Sequence, residues 1–414
     1  MIVQIIKWLE SNYGHLPGAG LVDFITFRAG LAILLSLIIS ILFGGQIIAF
    51  LKKKQVGETV RELGLEGQKM KEGTPTMGGL IIVLSILIPV FLIADLSNIY
   101  LILMIIATLW TALIGFIDDY IKVFKKNKEG LKGWFKVIGQ VILGLIISIT
   151  MLVHEDIYVR LDKTTAADLG LERWEIPSAE MEGGERANYK TNLTNIPFIK
   201  ENSLDYGRLW RTAPSSNTFA WMLFIPLVVF IVTAVSNAAN LTDGLDGLAT
   251  GIGGIIGVVL GIFAYLSGNA ITANYLSILH LPGTGELVVF SAAFIGACIG
   301  FLWNNTYPAK VFMGDTGSLT LGGIIAALAI LLRKELLIPI LCGVFFMETL
   351  SVMIQVGYFK YTKRKYGVGK RIFLMSPLHH HFQKKGWHEV TIVTRFWIIG
   401  VLLAVLTIIT LKIR

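Results

Sequence analysis

The chain has 414 residues, of which 54% are hydrophobic and only 15% are charged, and its mean hydropathy is +0.69. Soluble domains are typically about 45–50% apolar and about 25% charged, so the composition excludes an ordinary soluble enzyme and favours a membrane protein. The net charge of +8 comes from basic residues that lie mostly between hydrophobic segments, which fits membrane orientation better than binding to nucleic acid.

Ten hydrophobic segments are long enough, or nearly long enough, to form membrane helices of about 20 residues. In chain order they cover residues 25–50, 78–96, 98–117, 137–153, 219–238, 248–267, 287–303, 318–332, 336–356 and 391–411. The eighth and ninth are separated by Arg333, Lys334 and Glu335. Because one charge at the centre of a membrane helix costs about 2.5–3.5 kcal/mol, three in succession indicate a turn at a membrane face. We therefore predict an all-α polytopic membrane protein with about ten transmembrane helices, forming one domain over residues 1–414.

Basic residues concentrate in the loops that follow the first, third and ninth segments. They are Lys52, Lys53, Lys54, Arg61, Lys69 and Lys71, then Lys122, Lys125, Lys126, Lys128, Lys132 and Lys136, and finally Lys360, Lys363, Arg364, Lys365, Lys370, Arg371, Lys384 and Lys385. The opposite short loops hold little beyond Arg333 and Lys334. The positive-inside rule therefore predicts that the basic loops are cytoplasmic and that both termini are outside.

Residues 154–217 form one long polar insert between the fourth and fifth segments, predicted to lie on the outer face. Its Asn, Thr and Pro content and its lack of a helical period predict short β-strands and turns. The chain shows no internal repeat of the kind found in transporters with inverted repeats.

The third segment ends in two adjacent carboxylates, Asp118 and Asp119, with Lys122 just beyond them. Two neighbouring carboxylates repel each other and usually need a cation or a proton. At a membrane surface opposite phosphate groups they suit Mg²⁺, which prefers hard oxygen ligands. The alternative interpretation is a solvated helix end.

Residues 237–247 read Asn-Ala-Ala-Asn-Leu-Thr-Asp-Gly-Leu-Asp-Gly. Glycines that alternate with acids predict a tight, exposed turn rather than a membrane span. Asp243 and Asp246 stand just before the next apolar segment, so either could cap a helix. Capping does not explain the asparagines and glycines of the same motif, and binding is the favoured interpretation.

In residues 303–318, Asp315 could cap the eighth helix, and the start of that helix could also offer its amides to an anion. Phe312 could stack on a base or pack at the bilayer interface. Lys71 lies in the turn 71–79 before the second segment, where a plain loop is the alternative.

The most basic loop carries His379, His380 and His381. Consecutive helical residues point about 100° apart, so anion binding or proton transfer by one or two of them is favoured over a single zinc site. Glu348 and Gln355 are seven residues apart and so lie near one helix face; Glu348 could be functional or could hold neighbouring helices together.

Five motifs occur in an order that resembles the bacterial phospho-N-acetylmuramoyl-pentapeptide transferases, or translocase I enzymes. They are Gly-Thr-Pro-Thr-Met-Gly-Gly, the Asp118-Asp119 pair, Asn-Leu-Thr-Asp-Gly-Leu-Asp-Gly, Val-Phe-Met-Gly-Asp-Thr-Gly-Ser and Pro-Leu-His-His-His-Phe. The resemblance covers almost the whole chain outside 154–217, and the histidine motif is its most specific part. The insert departs from the usual family pattern, in which helices 4 and 5 connect briefly.

The resemblance implies an Mg²⁺-dependent enzyme of the bacterial cytoplasmic membrane, with its active site on the cytoplasmic face. The implied reaction converts UDP-N-acetylmuramoyl-pentapeptide and undecaprenyl phosphate into UMP and the first lipid intermediate of peptidoglycan. Membrane lipid and a second copy of the chain are the other expected partners.

The resemblance also implies a role for each matching residue. The metal ligand is Asp315, with Asn305, Asp118 and Asp119 nearby. The catalytic residues are Asp118, Asp119, Asp315 and His380. The uridine pocket comprises Lys71, Gly244, Leu245, Asp246 and Phe312. The residues that face the diphosphate and the sugar are Asn240, Asp243, Lys122, Lys136, His379, His380 and His381.

Three alternatives stay open at this point. A transporter or channel would place charges near mid-membrane, where this chain offers only Glu348. A related polyprenyl-phosphate hexosamine-1-phosphate transferase would use another UDP-sugar. Within the favoured reaction, the lipid phosphate could attack directly, with Asp118 as its base or orienting group, or the reaction could pass through an aspartyl phosphate.

Overall fold

The computed structural model describes residues 2–14, 18–54, 71, 73–125, 127, 129–168, 171, 173–174, 186–197, 203–209 and 217–412. The helices are α1 (Ile2–Tyr13), α2 (Ile25–Lys53), α3 (Gly79–Ile93), α4 (Ile99–Phe124), α5 (Gly133–Val153), α6 (Lys163–Asp168), α7 (Asn217–Thr242), α8 (Leu248–Gly268), α9 (Ala270–Leu276), α10 (Gly285–Asn305), α11 (Gly314–Leu331), α12 (Ile338–Leu341), α13 (Gly343–Tyr366), α14 (Leu378–Lys384) and α15 (Glu389–Thr410). The strands are β1 (Val159–Asp162), β2 (Arg186–Tyr189), β3 (Thr194–Asn195) and β4 (Ser203–Leu204).

The prediction of an all-α polytopic membrane protein is confirmed. Among the described residues, eight helices are long and apolar enough to cross a membrane, namely α2, α4, α5, α7, α8, α10, α11 and α15. The segment from Glu335 to Tyr366 would be a ninth span, bent by 75° at the break between α12 and α13. The second predicted segment forms the 15-residue α3, which is apolar but shorter than a full span. Which face is cytoplasmic stays a prediction.

The central element is α11, whose side chains are almost all buried and which packs against α3, α4, α7 and α8. Small residues allow these close approaches. A Cβ atom on Gly79 would lie 2.1 Å from the Gly317 amide nitrogen, and one on Gly115 would lie 2.2 Å from the Asp315 carbonyl oxygen. The start of α11 therefore touches the backbones of α3 and α4 with no side chain between them.

The insert contains two small antiparallel sheets, β1 with β2 and β3 with β4, which confirms the predicted short strands. The six-residue α6 was not predicted. Residues 175–185 and 198–202 of the insert lie outside the described residues.

The insert is fastened to the turn that follows α11. The Asn195 amide donates to the Arg333 carbonyl (3.0 Å), Arg333 Nη2 donates to the Thr191 carbonyl (2.9 Å), and the Tyr206 hydroxyl donates to Glu335 Oε1 (3.0 Å). The turn predicted at 333–335 is thus present, but its three charged side chains are buried rather than open at a membrane face. Because α11 has 18 residues, this contact lies about 27 Å from the end of α11 that carries Asp315.

Candidate active site

Three carboxylates meet where the end of α4 approaches the start of α11. Asp118 and Asp119 lie in the last two turns of α4, and Asp315 lies in the first turn of α11. One carboxylate oxygen of each lies within 4.8 Å of the other two, and the part of the chain that the structure describes has no other such group of His, Cys, Asp or Glu. Asp118 and Asp119 are buried, and the Asp315 side chain is 15% exposed. The predicted metal-binding carboxylates are therefore brought together.

Asp119 caps α11 from across the helix interface. Its Oδ1 accepts from the Asp315 amide (3.0 Å), and its Oδ2 accepts from the amide (2.8 Å) and hydroxyl (2.6 Å) of Thr316. These donors would otherwise be unpaired at the start of the helix, where a negative charge is also favoured. The alternative that Asp315 caps this helix is wrong, because α11 begins at Gly314 and no side chain of its own N-cap residue bonds to it.

Two lysines bridge the remaining two carboxylates. Lys122 Nζ lies 2.5 Å from Asp118 Oδ2 and 3.1 Å from Asp315 Oδ2, and Lys136 Nζ lies 2.9 Å from Asp118 Oδ1 and 2.5 Å from Asp315 Oδ2. Asn240 Nδ2 donates to Asp315 Oδ1 (3.0 Å). With every group ionised, three carboxylates and two ammonium groups have a formal charge of −1, which suits a further cation.

Asn305 stands apart from this cluster. Its Oδ1 accepts from the Gly247 amide (3.1 Å) and the Thr250 hydroxyl (3.3 Å), and its Nδ2 donates to the Val311 carbonyl (3.0 Å). These bonds tie the end of α10 to the start of α8. The structure therefore does not bring Asn305 into the hydrogen bonding of the carboxylates, and its role as a metal ligand stays a prediction.

A second cluster forms around Lys71, ahead of α3. Lys71 Nζ donates to Asp246 Oδ1 (2.7 Å) and to Glu389 Oε1 (2.7 Å), and it lies 5.9 Å from the centroid of the Phe312 ring. Burial lowers the pKa of Lys71, but the carboxylates of Glu389 and Asp246 outweigh it, so the pKa lies above the usual 10.5 and the side chain stays charged at neutral pH. Asp246 Oδ2 also accepts from the Ala309 amide (3.0 Å).

The turn between α7 and α8 supplies the rest of this cluster. Gly247, with a φ of 77°, precedes α8, and the Asp246 carboxylate bonds to Lys71 and the Ala309 amide rather than capping that helix. Asp243 and Gly244 lie in the turn, whereas the Leu245 side chain is buried in the hydrophobic core.

Glu389 was missed in the sequence. It accepts from Lys71 and from the Asp246 amide (2.8 Å). An acid in the first turn of a helix is common because it complements the helix dipole, so its position alone gave no sign of a binding role.

Glu348 and Gln355 lie on one face of α13, and both bond to the histidine loop, which comprises residues 367–388. Gln355 Oε1 accepts from the amides of Ile372 and Phe373, both at 3.0 Å. Glu348 Oε2 lies 3.0 Å from His379 Nδ1 and accepts from the His379 amide (3.3 Å). Glu348 therefore connects the histidine loop to the membrane domain, and its functional role stays open at this point.

The three histidines have three different partners at Nδ1. His379 contacts Glu348, His380 lies 2.7 Å from Gln383 Oε1, and His381 Nδ1 accepts from the Leu374 amide (3.1 Å). This divergence agrees with the expectation that one metal does not bind all three. Burial, together with nearby His379 and Lys71, lowers the pKa of His380 to about 4, so its imidazole is neutral at pH 7.

Comparisons with known proteins agree with these motifs. The profile of glycosyl transferase family 4 matches residues 101–333, and signature 1 of the phospho-N-acetylmuramoyl-pentapeptide-transferases matches residues 71–83. The chain is 56% identical to the phospho-N-acetylmuramoyl-pentapeptide-transferase of Flavobacterium psychrophilum over 417 residues and 55% identical to that of Parabacteroides distasonis over 429 residues. It is 51% identical to that of Amoebophilus asiaticus over 414 residues. Each match covers 100% of both chains.

Proposed function

The chain belongs to the phospho-N-acetylmuramoyl-pentapeptide-transferase family, and on that basis we propose its reaction. The enzyme transfers phospho-N-acetylmuramoyl-pentapeptide from its UDP derivative to undecaprenyl phosphate and releases UMP. The carboxylate–lysine cluster of Asp118, Asp315, Lys122 and Lys136 carries this proposal, because phosphoryl transfer depends mainly on positioning and on charge neutralisation.

The three carboxylates fit a divalent metal, and we propose that they bind Mg²⁺. All are hard oxygen ligands, their oxygens lie within 4.8 Å of one another, and the cluster carries a net negative charge. When bound, Mg²⁺ would neutralise charge on the diphosphate. Both oxygens of Asp119 accept from the start of α11, whereas Asp118 and Asp315 bond to the side chains of Lys122 and Lys136, so their oxygens would become available to a metal when the lysines exchange partners.

Lys122 and Lys136 are suited to exchange partners during substrate binding. Each now bridges Asp118 and Asp315, and each ammonium group can donate to a phosphate oxygen instead. The lysines would then stabilise the charge that develops on the transferred phosphoryl group. Asn240, which donates to Asp315, holds that carboxylate in place.

We assign the uridine to the Lys71 cluster. Asp246 and Lys71 offer a hydrogen-bond acceptor and donor, and the half-buried Phe312 offers a ring face for stacking. Phe312 and Asp315 are three residues apart in one segment, so a uridine in the Lys71 cluster would have its diphosphate near the carboxylate–lysine cluster.

Asp118 is the proposed group that orients the lipid phosphate or removes its proton. Two lysines and the Leu131 amide (2.8 Å) hold its carboxylate, which supports an electrostatic role over a covalent one. The rival two-step reaction would form an aspartyl phosphate, which hydroxylamine trapping during turnover would detect.

The active site is proposed to face the cytoplasm, as the basic loops predict. A homodimer and the absence of nucleic-acid partners stay predictions. The protein itself is a polytopic membrane protein, and its bacterial relatives fit the inner membrane.

UMP release from different UDP-sugars tests the proposal directly. The purified protein would receive undecaprenyl phosphate, Mg²⁺ and either UDP-N-acetylmuramoyl-pentapeptide or UDP-N-acetylglucosamine. We expect turnover only with the pentapeptide substrate. Turnover only with UDP-N-acetylglucosamine would establish the alternative hexosamine-1-phosphate transferase, and release of no UMP from either would reject both.

A further inference from the structure

One of the three consecutive histidines is completely buried and is held by an acid of the membrane domain. The side chains of His379 and Glu348 are both 0% exposed. The same carboxylate oxygen of Glu348 accepts from Nδ1 and from the backbone amide of His379. This pair of contacts fixes both the start of α14 and the rotation of the imidazole.

The other edge of this imidazole lies against the turn between α7 and α8. A Cβ atom on Gly244 would lie 2.2 Å from His379 Nε2, and its three nearest atoms would all belong to the His379 ring. Gly244 does not have a positive φ, so contact with the ring, and not backbone conformation, excludes a side chain there. Among the described residues, His379 Nε2 has no hydrogen-bond partner. The ring therefore packs edge-on against the backbone of the turn.

The neighbouring histidines differ from His379 in accessibility. His380 and His381 are only partly buried, and their Nδ1 atoms bond within the loop itself. Only these two histidines are exposed to an incoming ligand. His379 is separated from solvent by the turn that it contacts.

We propose that Glu348 and His379 are positioning residues for the nucleotide. The carboxylate fixes the imidazole, the imidazole supports Gly244, and Gly244 sets the path of the turn that carries Asp243 and Asp246. On this assignment His379 does not touch the substrate. The proposal rests on the proposed function, since it takes this turn to be part of the nucleotide site.

A steric rescue experiment tests the contact between His379 and Gly244. Gly244→Ala, His379→Ala and the double variant would be purified, and the Kd for UDP-N-acetylmuramoyl-pentapeptide would be measured by calorimetry without lipid phosphate. Gly244→Ala forces a methyl group into the ring, and His379→Ala removes the support, so each should weaken binding about 10- to 100-fold. In the double variant the methyl group occupies space left by the ring, and binding should recover at least about fivefold relative to Gly244→Ala.

Glu348→Gln tests the carboxylate, with Ser351→Ala as the matched control. Ser351 lies on the same buried face of α13 and its hydroxyl donates to the Glu348 carbonyl (2.6 Å), so its loss leaves the contact between Glu348 and His379 intact. Glu348→Gln should raise the Kd about tenfold while kcat at saturating nucleotide falls less than about threefold. Ser351→Ala should bind as the wild type does.

The outcomes separate this inference from the proposed function. If His379 contacted the substrate directly, the double variant would bind no better than Gly244→Ala, and the inference would be overturned. A fall in kcat with an unchanged Kd in Glu348→Gln would overturn it as well. Failure of the wild-type protein to bind the nucleotide would instead refute the proposed function. The rescue compares two variants that both carry Gly244→Ala. A folding defect caused by that substitution would be present in both, so it could not produce tighter binding in the double variant.

Discussion

Asp315→Asn removes one negative charge from the carboxylate–lysine cluster and keeps the shape of the side chain. The Asn oxygen can still accept from Asn240, but its nitrogen would face the ammonium groups of Lys122 and Lys136 and cannot accept from them. The cap of α11 is retained because Asp119 provides it. We therefore expect a folded protein with an altered charge balance.

The magnitude follows from the charges in the cluster. With every group ionised, this cluster and Asp119 together have a formal charge of −1, and after the substitution the remaining two carboxylates and two ammonium groups have none. A divalent cation then loses one charged carboxylate ligand and the net attraction, so turnover should fall at least about 10³-fold, or about 4 kcal/mol. Breaking a buried ion pair outright costs about 3–5 kcal/mol of stability. Here the cost should be about 1–3 kcal/mol, because both lysines keep Asp118 as a partner.

The assay is UMP release over a series of Mg²⁺ concentrations, with thermal unfolding measured on the same preparations. Asp246→Asn is the matched control, because it makes the same chemical change in the Lys71 cluster. It should raise the KM for the nucleotide about 10-fold and leave the Mg²⁺ concentration for half-maximal activity unchanged. An Asp315→Asn enzyme with wild-type kcat would refute the metal assignment, and an Asp246→Asn enzyme with altered Mg²⁺ dependence would refute the separation of the two clusters.

Four further predictions address other contacts. Thr316→Val removes the hydroxyl that donates to Asp119, and it should lower the free energy of unfolding by about 1–3 kcal/mol in thermal unfolding. Thr316→Ser keeps a hydroxyl and should be about as stable as the wild type. Equal stability of the two variants would argue against the capping role. Glu389→Gln should raise the nucleotide KM several-fold with little change in kcat, and an unchanged KM would show that this acid does not shape the pocket. Replacing 156–215 with a flexible linker should leave the rate of UMP release within about tenfold of the wild-type rate. The melting temperature should fall, because buried Arg333 and Glu335 lose their hydrogen-bond partners in the insert. Loss of turnover in a folded, nucleotide-binding variant would contradict this prediction. Reporter fusions should read cytoplasmic at Lys365 and external at Glu182, which lies outside the described residues, and a cytoplasmic signal at Glu182 would overturn the topology.

The positions of the membrane helices could be predicted because apolar length is a local property of the sequence. Their ends could not. The third segment was predicted to end at residue 117, yet α4 continues to Phe124, because partners from α5 and α11 compensate the charges that follow. Hydropathy treats Asp118 as a boundary, whereas the folded chain satisfies its charge with lysines.

Most of the site contacts that could not be predicted from the sequence are pairings between residues far apart in the chain. The family motifs predicted that Asp118, Asp119 and Asp315 belong together, but not that one of them caps a helix. Lys71 and Glu389 are separated by 318 positions, and the residues around each of them give no sign of their ion pair. Glu348 could be identified as unusual because an acid in an apolar helix is costly, but its partner depends on the fold of a loop about 30 residues later.

The direct contacts between the backbones of α3, α4 and α11 have a consequence for how substrates enter. At Gly79, Gly115 and Gly317 no side chain is available to change rotamer, so a displacement of one helix must carry the others with it. The ends of α3, α4 and α11 that meet at these glycines therefore move as one rigid body. Phe312 and Met313 belong to the same body, because the amides of Gly78 and Gly79 donate to their carbonyls (both 2.8 Å), so a substrate must enter without separating these helices.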